Sequence, residues 1–121
     1  HTHVAEQIGN DQVYLAPPVV AELEYGVYRA QTPSQRNRRA AALAKIKKKP
    51  CLLIDKETGD MFGRLTAELD AKGTPAKHRV NDLWIAAVAI QNGFRVLTNN
   101  VSDFDGIPGL DVIGVQSESN E

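Results

Sequence analysis

From Asn81 to Gln91 the chain reads NDLWIAAVAIQ, a run in which nearly every side chain after the second residue is apolar. Apolar residues all round a helix require cover on most of its sides. The run is closed by Asn92-Gly93, a common way to end a helix, and Phe94–Thr98 then reads as a strand. A short chain that must enclose such a helix and also place a strand directly after it is constrained toward layered α/β architecture. At 121 residues there is room for one domain with a real core, and too little to expect two.

The rest of the chain alternates in the same manner. Val4–Ile8 reads as the end of a helix, closed by Gly9-Asn10. Val13–Ala16 is a short strand, stopped by Pro17-Pro18, with Pro18 suited to the first position of a helix. Val20, Leu23, Val27 and Ala30 recur at helical spacing and define its core-facing stripe. Thr32-Pro33-Ser34 interrupts the chain, and Ser34 is the expected cap of a basic helix running to about Lys48. That helix has a thin apolar side of Ala41, Leu43, Ala44 and Ile46. Pro50 ends it, and Cys51–Ile54 reads as a second short strand in which the lone cysteine is expected to be a small core residue. Met61, Leu65 and Leu69, four apart, predict a helix over Asp60 to Ala71 with Gly73 beyond its end. Residues 73–80 are a connecting loop, and Leu110–Val115 a final strand. The expectation is a three-layer α/β/α domain over residues 1–115 with a mostly parallel sheet, followed by a disordered tail over 116–121.

Composition, at 42% apolar and 24% charged, is that of a soluble globular protein. Leu83–Ile90, the longest mostly apolar run, is far too short to span a bilayer, and no charged-then-apolar leader opens the given sequence, so export is not expected. The single cysteine, Cys51, cannot close an internal disulfide, and the expected setting is a reducing cytoplasm. Net charge is −1, but its distribution is uneven. Tyr25 to Ile54 contains no acid, yet holds Arg29, Arg36, Arg38, Arg39, Lys45, Lys47, Lys48 and Lys49. Such asymmetry gives either a solvated helix face or a basic surface for a polyanion.

In open parallel sheets, ligands bind outside the carboxyl ends of the strands. Three acidic phrases fall there: Glu22 after the first strand, Asp82 at the start of the apolar helix, and Asp103 after the strand at 94–98. Asp82 is the most informative. It shares a helix face with Ile85, Ala86 and Ala89, and a carboxylate beside a buried apolar face needs compensation, which a cation supplies. Helix capping is the plainer role, but Asn81 would serve it equally well. Glu22 shares its side of the helix with Gly26, where a missing side chain leaves room for a ligand or for close packing; an acid near a helix amino end is also favoured by the dipole alone. In TNNVSD, residues 98–103, the short oxygen-bearing side chains build turns, and they are also donors for a hard cation, with Asn100 and Asp103 the candidates. Asp105 precedes Gly106-Ile107-Pro108 and reads as an ordinary turn. His1 and His3 lie at a terminus, His78 has no cysteine or second histidine nearby, and neither a serine nucleophile motif nor a phosphate-cradling glycine loop occurs.

AELEYG, the ND-x-x-IAA-x-A run with its following glycine, and T-x-N-x-x-DF together resemble the PIN-domain family, and within it the VapC-type toxin ribonucleases of bacterial toxin–antitoxin pairs. The resemblance covers residues 4 to about 115, and its most specific part is the pair of motifs around Asp82 and Asp103. It implies a magnesium- or manganese-dependent ribonuclease site on four acidic positions. Glu22, Asp82 and Asp103 match three by motif, and Asn100 falls on an auxiliary ligand. The fourth belongs to an opening strand reading roughly Leu-Asp-Thr-Asn, which nothing here matches, so the expectation is a PIN-like domain without its first strand. Pro17-Pro18 also departs from the Ser or Thr usual in relatives. The resemblance further implies an RNA substrate, an antitoxin partner and a homodimer, with Arg29, Arg36, Arg38 and Arg39 as contacts to RNA or to an acidic antitoxin segment. Two other readings compete: a catalytically inactive PIN-like module that binds antitoxin or RNA, and a receiver-like phosphotransfer domain, which would need a phosphate-accepting aspartate.

Overall fold

The computed structural model describes residues 13–73 and 78–115. The expected helix end at Val4–Ile8, His1, His3 and the tail at 116–121 lie outside them. The chain divides between Leu53 and Ile54 into two compact units.

The first unit contains helices α1 (Pro17–Tyr28) and α2 (Pro33–Ile46), packed against each other. Both open on proline, whose missing N–H costs nothing in the first turn. For α1 the start is Pro17 rather than Pro18, since two consecutive prolines fit the first two helical positions equally. For α2 the cap is Thr32, not Ser34: the Thr32 hydroxyl accepts the Gln35 N–H at 3.0 Å, three residues on, while Ser34 lies inside the first turn. Val27, Ala30, Leu43 and Ile46 are buried, whereas Ala41 and Ala44 of the expected apolar side are exposed. The two expected strands reduce to a single parallel bridge between Leu15 and Cys51. Its bonds run from Leu15 N–H to the Pro50 carbonyl and from Leu52 N–H to the Leu15 carbonyl. Cys51 is exposed, which corrects its expected place in the core. The pairing stops at one residue, with Leu53 already exposed, and among the described residues no second strand extends it to cover the thiol.

The second unit contains α3 (Lys56–Ala71), α4 (Val80–Asn92), β1 (Val96–Thr98), a 3-10 turn (Val101–Phe104) and β2 (Val112–Gly114). Helix α3 starts four residues earlier than its apolar spacing indicates. Asp55 accepts the Thr58 N–H while the Thr58 hydroxyl accepts the Asp55 N–H, a capping box that carries the helix past Gly59. Helix α4 is buried on most sides, as its composition requires, and Gly93 closes it in the left-handed region at φ 71°. Ala86, Ala87 and Ala89 let α3 approach closely, and Leu65 and Leu69 fill the contact at 1% and 2% exposure. Val96, Phe104 and Ile107 complete this core from the strand side. Strands β1 and β2 pair in parallel, Val96 with Val112 through Thr98 with Gly114. Every strand pairing among the described residues is thus parallel, in line with expectation. No helix among them is long and apolar enough to cross a membrane.

Candidate functional site

In the first unit, Glu22 is half-buried and lines an open groove of 240 Å³ along α1 and α2, with Leu23, Gly26, Arg39, Ala42, Leu43 and Ile46. A β-carbon added at Gly26 would meet nothing within 4 Å, so of the two uses expected for this glycine close packing is not the one seen among the described residues. Arg39 serves the fold itself, since its guanidinium donates to the Gly26 carbonyl at 2.7 Å and ties α2 to α1. Arg29 lies over the exposed Tyr25 ring, 5.8 Å from its centre. Glu24, on the other side of α1 from Glu22, pairs with Lys47 at 3.7 Å on the surface, a contact of small energetic weight. Arg36 and Arg38 are exposed on α2.

The second unit carries Asp82, Asn100 and Asp103. Asp82 is the third residue of α4 and is only 4% exposed. It does not cap the helix. Arg79 occupies the cap position without a side-chain capping bond, and its guanidinium closes instead on the Asp82 carboxylate. Nε donates to Oδ2 and Nη2 to Oδ1, both at 3.1 Å, a two-pronged grip on a nearly buried charge. Asp103 sits in the 3-10 turn that follows β1, where Asn100 Nδ2 donates to Asp103 Oδ1 at 3.1 Å. Ser102 in turn donates to Asn100 Oδ1 at 2.7 Å, which fixes the asparagine's orientation.

His78 links these two places. Its Nε2 lies 2.6 Å from the Asp105 carbonyl, and since a carbonyl only accepts, Nε2 carries the proton. The residue before Arg79 is thereby fastened to the loop two residues past Asp103, so the start of α4 meets the segment beyond the carboxyl end of β1. This is the antiparallel return expected from the sequence. From the sequence alone, His78 stands aside for want of a second metal ligand, and Arg79 is not singled out. The signal for Arg79 was an arginine three residues before an aspartate at a helix start, within reach across one turn. Within neither unit do the described residues gather three or more His, Cys, Asp or Glu into a metal-holding group.

Residues 1–110 match the PIN domain. The chain is 35% identical to ribonuclease VapC5 of Mycobacterium tuberculosis over 87% of its own length and 78% of that protein's. It belongs to the PIN-domain family, among the VapC-type ribonucleases. Ribonuclease VapC1 of Rickettsia felis is 33% identical, with 88% and 79% covered. Among solved structures, VapBC-5 of M. tuberculosis, a member of the VapBC family of toxin–antitoxin systems, superposes with a TM-score of 0.74 at 33% identity. That match covers 83% of this chain and 79% of the other. The α/β PIN fold is therefore shared. As a VapC-type family member, the chain places its two most specific motifs at the start of α4 and in the turn after β1.

Proposed function

We propose that this chain is the toxin of a toxin–antitoxin pair, a cytoplasmic endoribonuclease that hydrolyses RNA phosphodiester bonds with the help of Mg2+ or Mn2+. The observation that carries the reading is Asp82, a carboxylate held almost out of solvent at the first turn of an apolar helix. Burying a charge there is unfavourable without a counter-charge, structural capping does not account for it, and the counter-charge present is the largely exposed Arg79 guanidinium, on the same two oxygens that a cation would take. Family membership supports the reaction class, because the curated relatives it resembles are named ribonucleases.

Glu22, Asp82 and Asp103 are the carboxylates we assign to the cation, with Asn100 as an auxiliary oxygen donor. These are the donor types a hard divalent ion takes. Such an ion, when bound, neutralises phosphate charge and makes an attacking water more acidic. The protein's own contribution is to hold the oxygens. Helix α4 fixes Asp82, the Asn100 amide holds one Asp103 oxygen, and the His78–Asp105 bond keeps the two segments together. Arg29, Arg36 and Arg38 present positive charge for an RNA backbone or an acidic antitoxin segment; Arg39, engaged with Gly26, contributes field rather than contact. A homodimer and a cognate antitoxin complete the proposal.

The test is cleavage of single-stranded RNA by the purified full chain. Asp82→Asn is expected to lower the rate by more than about a hundredfold, since even residues that only support a ligand cost 10–100-fold. Full cleavage by Asp82→Asn, or by wild type in excess chelator, contradicts the reading. Antitoxin binding with no cleavage under any divalent ion would make the chain a binding module instead.

A further inference from the structure

Arg79 has a position that a purely structural residue would not need. At a helix cap, Ser, Thr, Asp or Asn satisfies an orphan backbone N–H, and arginine does not. Here the cap position forgoes that bond, and the side chain turns forward one helical turn onto Asp82. The grip engages both carboxylate oxygens, Oδ1 and Oδ2, which are the atoms a cation at Asp82 would take. The two partners differ sharply in exposure: the Arg79 side chain is 65% exposed and that of Asp82 5%. The charge that can leave is therefore the guanidinium, while the carboxylate stays fixed on α4. Its anchor does not move with it, because His78 is fastened to the Asp105 carbonyl next to the Arg79 backbone.

We propose that Arg79 is a positioning residue that stands in for the cation at Asp82. With no cation bound, it holds the carboxylate in a single orientation and neutralises it; a divalent ion must displace the fork in order to bind. This rests on the assignment of Asp82 to the cation made above. Each ion then binds only the fraction of molecules in which the fork is open, and its apparent affinity is reduced by that fraction. A fork closed in about nine molecules of ten weakens cation binding about tenfold.

The experiment is calorimetric titration of Mn2+ into the full chain without RNA, for wild type, Arg79→Gln, Arg79→Lys and Asp82→Asn, with circular dichroism to establish folding. Arg79→Gln is expected to bind Mn2+ about tenfold more tightly than wild type. Arg79→Lys, which keeps the charge but not the two-pronged geometry, falls between them and serves alone if the glutamine variant fails to fold. Asp82→Asn is expected to lose binding. Unchanged or weaker Mn2+ affinity in folded Arg79 variants, with Asp82→Asn still deficient, overturns the competitor role and leaves the cation assignment standing. Absence of Mn2+ binding by wild type overturns both.

Discussion

The two units of this chain keep their chemistry-bearing residues in opposite ways. In the second, Asp82 and Asp103 sit on segments fixed by a dense core and by specific side-chain bonds: Leu65 and Leu69 against the alanines of α4, Gln91 against Asp55 and Thr58, His78 against Asp105. In the first, Glu22 and the arginines ride on two helices joined along an open groove, with Tyr25 and Tyr28 exposed at 65% and 74%. A carboxylate that must meet an ion within tenths of an ångström benefits from rigid support. Cations that meet a flexible polyanion do not need it, since that attraction is long-ranged and tolerant of geometry.

From that contrast, equal truncations should cost unequal amounts. Leu65→Ala, at the α3–α4 contact, is expected to destabilise by about 4 kcal/mol in urea unfolding, near the upper end for buried leucine. Leu43→Ala, beside the groove, should cost only about 2 kcal/mol because its surroundings can collapse toward open space. Equal losses would erase the distinction. A smaller effect sharpens it near Asp103. A β-carbon at Gly114 would lie 2.9 Å from Val101 Cγ2, in the turn that carries the aspartate. Gly114→Ala is expected to cost about 1 kcal/mol and to reduce cleavage more than stability, because the turn must shift. An alanine variant with full activity would show that the position of this turn is not critical.

The smallest effect is a pH dependence. The Asp55 carboxyl is held below the usual carboxylate range, first by the Thr58 backbone N–H, then by the Gln91 amide and the Thr58 hydroxyl. Folding therefore favours its ionised form. The contribution is complete above the unfolded value of about 3.9 and is lost as pH falls through the lower folded value. Asp55→Asn should accordingly be less stable than wild type at neutral pH, with the gap closing below about pH 3.9 in parallel thermal melts. A gap that persists undiminished into acid would mean that the carboxylate charge is not what fastens α3.

Much of the second unit was legible in the sequence because its signals are strong and local: the four-residue spacing of Met61, Leu65 and Leu69, the apolar run of α4, and Gly93 at its end. The differences arise where two side chains compete for one role or where burial depends on distant segments. Thr32 and Ser34 both offer a hydroxyl near Pro33, and only the three-residue reach to Gln35 decides between them. The start of α3 is hidden because Gly59 weakens the helical pattern, while Gln91, far along the chain, reinforces the capping box. Cys51 departs from expectation because an apolar stretch says nothing about whether a partner covers it. For the candidate site, the motifs singled out Asp82, Asn100 and Asp103, and the structure adds the bond between Asn100 and Asp103 in the turn after β1. The grip of Arg79 and the fastening by His78 depend on helix position and loop contact, and these become visible only once the backbone is placed.

The central claim is that the buried carboxylate of α4 serves a cation used in cutting RNA. It is tested most directly by following RNA cleavage by the wild-type full chain after chelation and stepwise return of Mg2+, with Asp82→Asn alongside. The account predicts no cleavage in chelator, recovery that rises with Mg2+ and saturates, and a flat trace for the variant throughout. Cleavage that continues in chelator, or a variant that recovers as wild type does, would contradict it.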